Sequence, residues 1–181
     1  LQQFFSELCT FILKFFPVRT KYLILIFALG SFISCEEPPV VRGNAKNPPV
    51  YKKADLQKLR WIEGNWKSEV AGTGYYQTCH FPSDSILEVV SYRFDGKDTS
   101  GTTISRVYWR NNHIYLGTYD EWVAVLIDKK SIQLDPTRAG WIAISWTQNS
   151  KDEWTSVQKK PDFERTVKMK RQPELTKLLK K

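Results

Sequence analysis

Histidine, cysteine and long apolar runs are all scarce in this 181-residue chain, and each scarcity removes a class of function. His80 and His113 are the only histidines. A zinc or haem site needs such ligands at short spacing with a supporting shell, and neither histidine has one nearby in sequence. No Gly-x-Ser-x-Gly, no His-Glu-x-x-His and no glycine-rich phosphate loop occurs. Cys79 and His80 are adjacent, and neighbours on a strand point to opposite faces, so they do not form a nucleophile and its base. Cys79 reads instead as a buried, inert thiol. The acidic residues fall mainly in turns, where aspartate has backbone reasons to be. These absences leave no catalytic constellation, no metal site and no cofactor to expect, and the chain reads as non-enzymatic.

The clearest apolar run, Tyr22–Ile33, is too short to span a bilayer as a helix, which takes about 20 residues. It follows Arg19 and Lys21 and stops at Ser34-Cys35, the outline of a signal peptide. Phe11–Val18 is apolar too, but Lys14 and Pro17 break it, so the two runs do not fuse. A start at Val18 gives a leader of more usual form, with residues 1–17 then lying outside the translated product. Phe32-Ile33-Ser34-Cys35 resembles the lipobox of bacterial lipoproteins, with Phe32 where leucine is usual. The resemblance implies acylation of Cys35, and several acyl chains at about 0.8 kcal/mol per buried CH₂ would hold firmly. Glu36, in place of the aspartate that retains such proteins at the inner membrane, implies a lipid anchor in the outer membrane of a bacterial cell envelope.

With Cys9 in the leader and Cys35 acylated, Cys79 stands alone and no disulfide is expected within the domain. The formal net charge of +8 is concentrated in the leader and in the tail from Arg171 onward. Residues 56–170 are close to balanced, which argues against a nucleic-acid partner. Residues 35–54 contain two Pro-Pro pairs and read as an extended, lipid-anchored tether, rising about 3.1 Å per residue in polyproline geometry.

From Asp55 the pattern changes twice. Asp55–Trp61 has Leu56 and Leu59 three apart behind an aspartate able to cap, so a short helix is expected. After Gly64 come ten short runs rich in valine, isoleucine, threonine and aromatics: 65–70, 74–81, 85–94, 102–110, 113–119, 121–127, 131–134, 141–147, 153–159 and 164–170. Asp95-Gly96, Asn111-Asn112, Asp128–Lys130, Pro136–Gly140, Asn149–Asp152 and Pro161-Asp162 supply turns between them. The expected fold over residues 55–171 is all-β: a single antiparallel up-and-down barrel of about 8–10 strands, since closure removes exposed edges. A second short helix is expected in the basic tail, 172–181, where Leu175, Leu178 and Leu179 share a helical face.

Leu59-Arg60-Trp61-Ile62-Glu63-Gly64-Asn65-Trp66 resembles the short helix and Gly-x-Trp opening of lipocalin-like (calycin) domains, including a poorly characterised group of bacterial lipoproteins. The resemblance continues through Ser83-Asp84-Ser85 and Tyr92. It implies that Gly64 and Trp66 form the floor of the barrel and that an arginine from the last strand, Arg165, lies across the tryptophan. A His-Asp-Phe-Pro motif found in that group is absent, so no role tied to it transfers.

Glu88 shares its strand parity with Ile86, Val90, Tyr92 and Phe94, which would turn it into the barrel; the opposite phase, with Leu87 and Val89 inward, leaves it in solvent. An inward carboxylate is costly unless it meets a ligand or a partner. Seven tryptophans and eight tyrosines serve either as packing or as the walls of an apolar site. Glu88, Tyr92, Tyr115 and Trp122 are therefore the candidate ligand contacts. The reading is a monomeric, membrane-anchored envelope protein that binds a small apolar or amphipathic molecule. Its alternative is a barrel filled with side chains that contacts another envelope protein or a glycan. A small barrel enzyme comes third.

Overall fold

Leu56, Leu59 and Ile62 are spaced by three, and the chain winds there as a 3₁₀ helix, Lys53–Ile62, whose three-residue turn puts all three on one line. All three are fully buried. Asp55 holds the helix start by accepting the Lys52 backbone N–H at 2.7 Å. The structure, a computed structural model, describes residues 43–70, 73–94 and 99–172.

Ten strands follow: β1 Gly64–Val70, β2 Thr73–Ser83, β3 Ile86–Phe94, β4 Thr99–Arg110, β5 His113–Leu116, β6 Trp122–Ile127, β7 Ser131–Pro136, β8 Ala143–Ser150, β9 Glu153–Lys160 and β10 Phe163–Arg171. Each pairs antiparallel with its neighbours in sequence, and β1 pairs with β10 to close the barrel, Trp66 facing Arg171 and Lys67 facing Lys170. All ten sequence runs became strands. The run expected at 113–119 stops at Leu116, because Gly117 and Asp120 take positive φ of 107° and 55°. Asn111 and Asn112, at φ 50° and 64°, make the tight β4–β5 turn that asparagine tolerates. The expected pair of terminal helices is not borne out: one helix precedes the barrel, and the tail expected to form the other lies, from 173 onward, outside the described residues.

The helix packs across the end of the barrel where β1 begins. Trp66 is 1% exposed, and its indole N–H donates to the Ile62 carbonyl at 2.7 Å. Trp61, Trp66 and Trp146 all meet Trp154 edge-on, at centroid distances of 6.4, 6.1 and 5.9 Å. The arginine across Trp66 is Arg171, not Arg165: its guanidinium lies 4.2 Å above the ring and donates to the carbonyls of Glu63 and Lys151. Arg165 sits six residues earlier, about 20 Å away along the strand, at the opposite end. Gly64 has φ 129°, and a Cβ there would stand 2.5 Å from an Arg171 nitrogen. The glycine of the Gly-x-Trp sequence thus makes the space the arginine occupies.

Part of the expected stalk lies along the barrel. The Gly43 N–H donates to Val125, the Tyr51 N–H to Asn112, and the Trp109 indole to the Tyr51 carbonyl at 2.8 Å. Tyr51 is buried, and a Pro49 carbonyl meets His113 Nδ1 at 3.0 Å. Prolines without N–H groups suit this strap, which bonds through the flanking residues. The leader and Cys35 lie outside the described residues.

Candidate functional site

The interior divides into a packed half and an open half, and the inward residues of each strand explain why. Toward the helix the inward positions are Leu87, Val107, Ile114 and Ile132, all fully buried. Toward the other end many are small or polar, Ser91, Gly101, Thr103, Ser105, Ser156 and Gln158, with Ile144 and Val167 beside them. Eight strands enclose an interior that side chains fill, and diameter grows with strand number. Ten strands with small residues on one half leave a cavity of about 810 Å³, within the range of about 300–1,000 Å³ usual for small-molecule sites.

Trp146, Trp154, Met169 and Leu116 form the apolar depth of this cavity. The Trp154 indole N–H is buried without a hydrogen-bond partner among the described residues. Higher on the wall, Gln77 donates to Tyr75 Oη and to Ser91 Oγ, both at 3.1 Å, while its own carbonyl oxygen is buried without a partner among the described residues. At the mouth stand Arg93 of β3 and Arg165 of β10. Among the described residues no aspartate or glutamate lines the cavity.

Of the four residues expected to meet a ligand, the structure brings two to the cavity. Trp122 lines it, its indole held by the Ile142 carbonyl at 2.7 Å. Tyr92 borders it, but its ring stacks on Tyr76 of the outer face at 5.7 Å. Glu88 faces outward: register sets it between His80 of β2 and Arg106 of β4, with Arg106 Nε at 2.9 Å and His80 Nε2 at 3.6 Å. An opposite charge on the neighbouring strand makes solvent the cheaper side for this carboxylate. Tyr115 also faces outward, between the buried Ile114 and Leu116, with Arg110 5.6 Å above its ring. Arg165, expected in the floor, is at the mouth.

Arg93, Gln77, Trp146 and Trp154 were not singled out by sequence. The signal was the alternative phase of β3: once Leu87 and Val89 face inward, Ser91 and Arg93 follow. Cys79 is 1% exposed, and burial pushes its thiol up to about 12 against the pull of Arg171, so it stays protonated at neutral pH. Fold and site together define a hollow ten-stranded antiparallel barrel, plugged by a helix at one end. No protein-family model, curated protein or solved structure matches the chain.

Proposed function

We propose that this chain is a lipid-anchored envelope protein whose barrel takes up a small apolar or amphipathic molecule. The observation that carries the ligand-binding reading is the cavity of about 810 Å³. A barrel built to be filled would close that volume with large inward side chains, as its own helix end does; serine, glycine and threonine at the inward positions keep it open. Apolar depth with a few placed polar groups is the usual composition of a small-molecule site. Its test is titration of the full chain with the neutral apolar dye Nile red, followed by dye emission and by tryptophan quenching. Saturable one-site binding is expected, and its absence in folded protein removes the reading.

Anchoring is a separate part of the proposal and rests on the sequence Phe32-Ile33-Ser34-Cys35 at the end of an apolar run. In bacterial cells fed an alkyne fatty acid, the chain becomes labelled, and Cys35→Ser abolishes the label. Equal labelling of the two forms would remove the anchor from the account.

A further inference from the structure

Arg93 and Arg165 line the same cavity, both are exposed at its mouth, and neither has an ion-pair or hydrogen-bond partner among the described residues. Other arginines of the barrel are engaged: Arg106 with Glu88, Arg110 with Asp120, Arg171 with Asp152 and the helix-end carbonyls. Among the described carboxylates toward this end, Glu164 pairs with Lys159 and Asp162 with Lys160. Glu121 turns back to accept the Tyr119 N–H at 2.8 Å. Among the described residues the cavity therefore has cations at its entrance and no anion on its wall, and a low-dielectric cleft of one sign concentrates ions of the other.

Register adds a neutral hydrogen-bonding neighbour to each arginine. Tyr75 is the cross-strand partner of Arg93, and Gln158 that of Arg165. β2 and β1 lie between the two arginines, about 14 Å across the strands, and the register sets Arg93 level with Met169 of β10, four residues from Arg165, so they stand on the order of 20 Å apart along the wall. Both line the same cavity, so an anion entering it meets two cations. Below them the surface turns to Trp146, Trp154 and Met169, which offer nothing to a charge and much to an alkyl chain.

Resting on the ligand-binding reading above, we infer that the ligand is an anionic amphiphile. Its carboxylate or phosphate is held at the mouth by Arg93 and Arg165, and its apolar chain extends toward Trp146 and Trp154. Guanidinium forks match both head groups, and the resulting hydrogen bonds are charge-assisted.

The full chain, titrated below micelle concentrations with dodecanoate, dodecyl phosphate, 1-dodecanol and dodecyltrimethylammonium, tests this by calorimetry and tryptophan fluorescence. The two anions bind at least about ten-fold tighter than the alcohol and the ammonium, and their advantage shrinks as salt rises. Their ratio shows whether carboxylate or phosphate is the better head. In the double variant Arg93→Met/Arg165→Met, dodecanoate falls to the affinity of dodecanol while dodecanol is unchanged. Single Arg93→Gln and Arg165→Gln variants, each losing part of the anion preference, carry the same test if the double variant does not fold. Equal binding of dodecanoate and dodecanol, or dodecanoate binding indifferent to both arginines, overturns the anionic ligand and leaves the ligand-binding reading standing. No saturable binding of any of the four by folded protein overturns both.

Discussion

Trp66→Ala lowers the stability of the barrel by about 3 to 5 kcal/mol, the range for removing a large aromatic side chain from a core. Three losses coincide at this residue. Its ring is 1% exposed, so truncation opens a void between the helix and the barrel. The hydrogen bond to the Ile62 carbonyl, which ties the helix end to β1, disappears. Arg171 and Trp154 each lose a ring that they contact, one over its face and one edge-on. Urea unfolding followed by far-ultraviolet circular dichroism measures the change. A midpoint equal to that of the unaltered protein would mean that the helix end is not the stabilised plug described above.

The second large effect is at Gly64, where Gly64→Ala costs about 2 to 4 kcal/mol. One part is conformational, since φ 129° lies where a residue with a Cβ is strained, a cost of order 1–3 kcal/mol. The other part is displacement of the Arg171 guanidinium, which would lose its hydrogen bond to the Glu63 carbonyl at 3.0 Å. The two parts separate in a double-mutant cycle. In an Arg171→Ala background the clash is gone and only the backbone strain remains, so Gly64→Ala costs less there than in the parent. Strict additivity would show that the glycine and the arginine do not share this space.

The positions of the strands were legible because each run pairs β-forming residues with a turn of defined chemistry, and Asn111-Asn112 needed only itself to specify the β4–β5 hairpin. The inner face of β3 was not. Both faces of that strand carry apolar residues: Leu87 and Val89 enter the core, while Val90 and Tyr92 pack with Tyr76 on the outside. What turns Glu88 outward is Arg106, eighteen residues away, and only the strand register brings the two together. The choice between Arg165 and Arg171 has the same origin. Both have the inward parity of β10, and the pairing of Trp66 with Arg171 decides which one reaches the floor. A displacement of six residues converts a structural arginine into one at the mouth.

The strap from Gly43 to Lys52 was hidden for a different reason. Its proline pairs specify an extended chain, and an extended chain serves equally as a free stalk or as a cover. Which it is depends on acceptors supplied by Val125 and Asn112, residues remote in sequence. The cavity likewise follows from an arrangement that no local pattern encodes. Ser91, Ser105 and Ser156 look like ordinary strand serines until closure places them on one half of the same interior.

A cavity-filling variant tests most directly whether this interior is a binding site. Ser91→Trp/Ser156→Trp places two indoles in the open half, where their bulk takes up space a ligand would need. Nile red titrated into the full chain should bind at a single saturable site and quench the tryptophans, and the filled variant, folded by circular dichroism, should lose at least about ten-fold in affinity. Binding of equal strength to the filled and the unaltered barrel would contradict the claim, because the dye would then be sitting outside the cavity.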